Sequence, residues 1–70
     1  MTPLSLARPG EPVAIRRITG QDKTRRHLAE LGFVEDGVVT VVSELSGNLI
    51  LQVKDSRVAL DKTLANRIMI

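Results

Sequence analysis

Cysteine, tryptophan and tyrosine are all absent from this 70-residue chain, and phenylalanine occurs once. Without cysteine there is no disulfide and no thiolate metal site, which is compatible with a reducing cytosol. Without aromatic rings there is no platform on which nucleic-acid bases could stack. No apolar run approaches the roughly 20 residues that span a bilayer, and the first residues lack the apolar stretch of a signal peptide. We therefore expect a cytoplasmic protein with no membrane insertion.

The charge of the chain is small in sum, +2, but unevenly distributed. Residues 8–26 contain six of the ten Lys and Arg residues. A basic stretch can indicate nucleic-acid binding, and the affinity would then fall steeply with rising salt concentration. Because stacking residues are missing, we interpret the stretch as a solvated face and expect no nucleic-acid partner.

Catalytic and metal-binding chemistry has little support in the residue pattern. His27 is the only histidine, and it has neither a cysteine nor a second histidine at ligand spacing. Glu30, Glu35 and Asp36 could hold a hard cation weakly, but acids near a turn are more often solvated. We expect no enzyme activity, no catalytic residue, no metal site and no cofactor. By elimination the chain is a binding module.

One helix, about residues 21–31, organises the chain. Thr19 and Asp22 have the spacing of a capping box, and Gly32 is placed to end the helix in the left-handed conformation. Thr24, Leu28 and Leu31 share one face, because they recur at spacings of four and three. Phe33 is expected to fold back onto the last turn. The residues that we assign to structure are Leu28, Leu31, Gly32 and Phe33.

Short strands joined by tight turns make up the rest of the chain. The pattern predicts an edge strand at Leu4–Leu6 and strands at residues 12–19 (interrupted at Arg16-Arg17), 38–45, 49–54, 57–60 and 67–70. Turns are predicted at Ser46-Gly47-Asn48 and Asp55-Ser56, and a single-turn helix near residues 61–66 with Asp61 as its N-cap. This is a mostly β protein, a small closed or half-open barrel, and residues 1–70 form a single domain.

Residues spread over nearly the whole chain resemble the FeoA family, small cytosolic accessory proteins of bacterial ferrous iron uptake. The similar segments are residues 26–34, the strand 39–42, the turn Gly47-Asn48, residues 57–60 and residues 65–70. The resemblance implies an SH3-like β-barrel with one inserted helix and no catalysis or tightly bound cofactor. It also implies a partner, the FeoB membrane transporter with its cytosolic G-protein domain.

The chain departs from the family pattern at three positions. Asp36 stands where relatives have Gly, but Asp also tolerates the left-handed backbone. The turn Gly47-Asn48-Leu49 lacks a proline that is frequent there. Asp61 replaces a frequent Arg, so a basic contact at that position cannot be transferred.

The partner surface that we predict combines helix residues with the tip of the hairpin. Its candidates are Arg25, Arg26 and Glu30 on the helix and Asn48 and Leu49 at the tip. The alternatives are an Arg26–Glu30 ion pair on a merely solvated helix and packing of Leu49 in the core.

Three other interpretations stay open from the sequence. The same barrel resembles the C-terminal domain of iron-dependent repressors, so the chain could act as a stand-alone regulatory domain in trans. Acids converging near Glu35 would favour direct ferrous iron binding. Exposed strand edges would permit weak self-association. Separately, binding to a transporter would bring the chain to the inner face of the cell membrane.

Overall fold

The computed structural model describes all residues, Met1–Ile70. Its elements, in chain order, are a 3₁₀ helix (Leu4–Leu6), β1 (Pro12–Ala14), β2 (Arg17–Ile18), α1 (Asp22–Glu30), β3 (Val38–Leu45), β4 (Asn48–Val53), β5 (Ser56–Asp61), α2 (Lys62–Ala65) and β6 (Ile68–Met69). The mostly β architecture, with one longer helix and one single-turn helix, confirms the sequence prediction. Neither α-helix has the length and apolar composition needed to cross a bilayer.

The strands form two antiparallel sheets, one of four strands in the order β1-β3-β4-β5 and one of two, β2-β6. The chain passes from the first sheet to the second at Ile15 and Arg16. The Ile15 N–H donates to Gly37 O at 2.8 Å, whereas the Arg16 N–H donates to Met69 O at 2.8 Å. This change of sheet explains the interruption predicted at Arg16-Arg17. The sheets are not joined into a closed barrel, so the molecule is half-open.

A single cluster of buried hydrophobic side chains lies between the sheets and α1. Its twelve members are Leu4, Ile15, Leu28, Phe33, Val39, Val41, Leu49, Leu51, Val53, Leu60, Ala65 and Ile68. Three of them alternate along β4, as expected for a strand with one face in the core. No polar or charged residue is buried.

Two-residue turns close both hairpins of the larger sheet. Ser46 and Gly47 have φ angles of 52° and 81°, the left-handed pair that a type I′ turn requires. Asn48 already belongs to β4, where it pairs with Leu45. The second turn is Lys54-Asp55, one residue earlier than predicted, with Lys54 at φ 53°.

The predicted edge strand at Leu4–Leu6 is wrong. The Leu6 N–H donates to Pro3 O at 3.0 Å and the Ala7 N–H to Leu4 O at 2.9 Å, which closes a 3₁₀ turn. This turn inserts Leu4 into the core with no exposed surface. Only an isolated bridge between Pro3 and Met69 remains of the expected edge strand.

Candidate partner-binding surface

The start of α1 differs from the sequence prediction, because no capping box forms. Gln21 is the N-cap and makes no side-chain capping bond. The Thr19 hydroxyl donates instead to Arg67 O at 3.1 Å, and the Thr19 N–H donates to the same oxygen at 2.7 Å. Thr19 is therefore held by the segment before β6 and is not free to cap the helix.

The end of α1 matches the prediction in detail. Gly32 has φ 104°, its N–H donates to Ala29 O, and the Phe33 N–H donates to Leu28 O, both at 3.0 Å. These two bonds define a Schellman stop, which satisfies carbonyls that would otherwise lack partners. The Phe33 side chain is completely buried. The stop thus fixes the helix to the core at its C-terminal end.

Only a narrow stripe of α1 faces the protein. Leu28 is fully buried and Thr24 is half-buried, with Leu31 half-buried just after the helix. All the other residues of α1 are exposed. We call the exposed Arg25, Arg26 and Glu30 the outer face of α1. It is a charged surface on a helix that the core holds in place.

The charges on the outer face are only partly paired with one another. Arg25 forms an ion pair with Asp22, three residues earlier. The predicted ion pair between Arg26 and Glu30 is absent, since the only other salt bridge joins Lys62 to Glu44. Arg26 and Glu30 lie four residues apart on one side of the helix. Both charges are therefore available to a partner.

The hairpin tip carries an exposed apolar side chain, but not the one that we predicted. Leu49 is 3% exposed and belongs to the core, so it is removed from the candidate surface. Leu45 is 66% exposed and pairs across the hairpin with the exposed Asn48. Leu45 was missed because its exposure depends on how β3 pairs with β4, which the residue pattern does not give. A β-bulge between Val41 and Ser43 reverses the alternation and turns Leu45 outward.

The hairpin tip and the end of α1 lie at opposite ends of β4. The Cβ position of Gly32 is 3.6 Å from a Val53 methyl group, so the end of the helix packs against the last residue of that strand. Asn48 is the first residue of the strand, roughly 17 Å away at the rise of an antiparallel strand. The structure therefore separates the hairpin tip from this end of the helix.

Exposed apolar residues in the segment that follows α1 are a second feature that the sequence did not reveal. Val34 follows the helix stop and is 40% exposed, and Val38 is 57% exposed. Protein contact surfaces combine such apolar area with charged groups. The alternation of Val38 and the buried Val39 was the available signal, but the continuous valine run concealed it.

Acidic residues and the histidine do not converge. No group of three His, Asp or Glu side chains is placed to hold a metal ion, although Glu30, Glu35 and Asp36 are close in sequence. His27 is exposed on α1. The larger of two clefts, about 430 Å³, lies at the start of the helix and is lined by Gly20, Gln21, Thr24 and Arg67, none of them hydrophobic.

Two short sheets, one exposed helix and a single-turn helix before the last strand make up an SH3-like domain. The FeoA protein of Stenotrophomonas maltophilia, solved in complex with zinc and described as a prokaryotic SH3 domain protein, superposes with a TM-score of 0.82. It is 29% identical over 99% of this chain and 87% of its own. The predicted SH3-like fold is thus confirmed.

The FeoA domain family model matches residues 2–70, so the chain belongs to the FeoA family. An iron uptake regulatory protein (FeoA) is 31% identical, with a TM-score of 0.86 over 96% of this chain and 89% of its own. FeoA domains are a transport-associated family rather than an enzyme family.

A manganese-dependent transcriptional repressor shares the fold, with a TM-score of 0.82. Its identity is 23%, over 97% of this chain and 41% of the repressor. A search of curated protein sequences gives no significant match.

Proposed function

We propose that this chain is a non-enzymatic accessory module of ferrous iron uptake that binds the cytosolic part of a FeoB-type transporter. The observation that carries the proposal is that α1 is attached to the core on one side and exposes charged residues on the other. The buried Leu28 and a Schellman stop attach the C-terminal half of the helix to the core, while Arg25, Arg26 and Glu30 all face solvent. A helix that is already formed presents charges at a lower cost in conformational entropy than an unfolded segment when a partner binds.

The outer face of α1 and Val34 together form the proposed main contact. The charges would orient the partner and raise the rate of association, and the exposed Val34 would supply apolar contact area. The hairpin tip, with Asn48 and Leu45, is a separate second contact in this proposal. Binding would place the chain at the inner face of the cell membrane through the transporter, without insertion.

A second candidate function is that of a regulatory domain acting in trans on another protein. The likeness to the manganese-dependent repressor favours it, since the shared fold spans less than half of that protein. This candidate predicts a partner that is not a transporter.

Ferrous iron uptake by living cells tests the accessory role. We would delete the gene for this chain and measure uptake of radioactive Fe²⁺ with and without a plasmid copy. The accessory role predicts that deletion changes the uptake rate and that the wild-type copy restores it. Uptake that is the same with and without the gene would overturn the proposal.

The double variant Arg25→Glu/Arg26→Glu tests the surface in the same cells. Its matched control is Arg8→Glu/Arg16→Glu, which makes the same change in charge at two exposed positions outside α1. We expect the first variant to behave like the deletion and the control to behave like the wild type. Equal uptake with both variants, at equal protein levels, would remove the outer face of α1 from the proposal.

A further inference from the structure

Strand β5 lies at one edge of the four-stranded sheet, and β1 lies at the other. Strand β5 pairs with β4 on one side, and no strand pairs with its other side. None of the backbone hydrogen bonds outside the helices and strands involves Arg57, Val58 or Ala59. The edge is therefore able to bond with another strand.

The hairpin geometry determines which residues of β5 direct their backbone groups outward. Val53 and Ser56 flank a two-residue turn, so they form a hydrogen-bonded pair, and such pairs recur at every second residue. Val58 and Leu60 therefore bond to β4. Arg57 and Ala59 alternate with them and point their N–H and C=O groups to the open side. The Asp61 N–H points the same way, but the Asp61 C=O is the N-cap carbonyl of α2 and is directed into that helix.

The side chains of these three residues share the exposed face of the sheet. Val58 is half-buried and Leu60 is buried, whereas Arg57, Ala59 and Asp61 are all exposed. One positive and one negative charge thus stand on the same face, separated by a single small residue.

Each of these charges is held in position but has no partner of opposite sign. The Arg57 Nε donates to Gln52 Oε1 at 3.2 Å, and neither of its Nη groups has a partner. One Asp61 oxygen, Oδ1, accepts the Leu64 N–H at 2.8 Å as the cap of α2, and the second oxygen is free. Neither residue takes part in a salt bridge.

From this arrangement we infer that β5 binds β5 of a second copy of this chain, antiparallel and about a two-fold axis through Ala59. In this register Ala59 faces Ala59 of the other copy and both Arg57–Asp61 pairs bring opposite charges together. Directly opposed pairs of unlike charge stabilise antiparallel strands.

Other registers that keep the outward backbone groups facing each other are less favourable. A shift in one direction places Arg57 opposite Arg57, and a shift in the other places Asp61 opposite Asp61, which are repulsive pairs. Intermediate shifts leave the charges opposite Ala59. The strand contains no Pro, Gly or bulge that would block pairing. The charges thus favour this one register, and they favour β5 of a second copy as the strand that binds there.

Complementary charge reversal tests this inference directly. Sedimentation velocity at increasing concentration would measure the dimer dissociation constant of the wild type, Arg57→Glu and Asp61→Lys. Each variant replaces two attractions by two repulsions, so we expect the constant to rise about tenfold or more. A mixture of the two variants restores both pairs, and we expect it to form a heterodimer about as tightly as the wild type forms its dimer.

Two controls separate the charge effect from folding. Asp61→Asn retains the cap on α2 but removes the charge, so the constant should rise with an unchanged amide spectrum. Arg8→Glu makes the same change in net charge outside β5 and should dimerise like the wild type. A wild type that stays monomeric at millimolar concentration would overturn the inference. So would a dimer unaffected by Arg57→Glu and Asp61→Asn.

Discussion

At the scale of single residues, Phe33 contributes more to this small core than any other side chain. It is the largest fully buried residue and the only aromatic one. Its backbone N–H also closes the stop of α1. The remaining core consists of aliphatic side chains and one alanine, so no other ring can fill the space that its loss would leave.

Replacement of Phe33 by Ala should lower the free energy of unfolding by about 3–5 kcal/mol, since a large cavity is left in a well-packed core. This is a large part of the stability of such a domain. Urea denaturation followed by circular dichroism measures it. The control is Val34→Ala at the next, exposed position, which should change stability by about 0.5 kcal/mol or less. An unchanged midpoint for Phe33→Ala would refute the placement.

Substitutions at Asp36 and at Gly37 should change the free energy of unfolding in opposite directions. Asp36 has φ 66°, a strained angle for a residue with a Cβ, so Asp36→Gly should raise stability by about 0.5 kcal/mol. A Cβ at Gly37 would lie 3.0 Å from the Val34 carbonyl oxygen, so Gly37→Ala should be destabilising. Thermal denaturation of both variants checks the pair. A stabilising Gly37→Ala would show that this turn is differently built.

At the scale of elements, the features that the sequence predicted correctly are those determined by residues close together in the chain. Gly32 as the helix stop, the Ser46-Gly47 turn and the Asp61 cap each follow from residues within one turn of the chain. The backbone conformations that these residues favour are local properties, so no knowledge of the fold was needed.

Features that depend on distant contacts were missed. Thr19 does not cap α1 because Arg67, 48 residues later, bonds its hydroxyl. Leu45, to which the sequence analysis gave no role, is exposed because a bulge in β3 turns it outward, and the candidate Leu49 is in the core. The 3₁₀ helix forms where Leu4 enters a core assembled from the rest of the chain. Of the candidate surface, the helix face was predictable, but the exposed valines after the helix and the exposed leucine were not.

The cap of α2 provides a test at this scale. Asp61→Ala should lower stability by about 1 kcal/mol, because the Leu64 N–H loses its acceptor. Asp61→Asn keeps a side-chain oxygen in place and should change stability by only a few tenths of that amount. Chemical denaturation compares the two variants. Equal losses in both would indicate that the charge, rather than the cap, is what stabilises this helix.

At the scale of the whole molecule, two surfaces on different elements are proposed for two different partners. The outer face of α1 would meet the transporter, and the open edge of β5 would meet a second copy of the chain. The helix lies between β2 and β3 in the chain, whereas β5 is the last strand of the larger sheet. The two surfaces share no residue, so a variant in one leaves the side chains of the other unchanged.

The most direct test of the transporter account is a titration of the ¹⁵N-labelled chain with the cytosolic part of the FeoB-type transporter from the same cells. It would be recorded with GDP and with a non-hydrolysable GTP analogue. The account predicts amide shift changes on the outer face of α1 and at Val34, lost in Arg25→Glu/Arg26→Glu and kept in Arg8→Glu/Arg16→Glu. Changes confined to other surfaces, or none in either nucleotide state at high concentration, would contradict it.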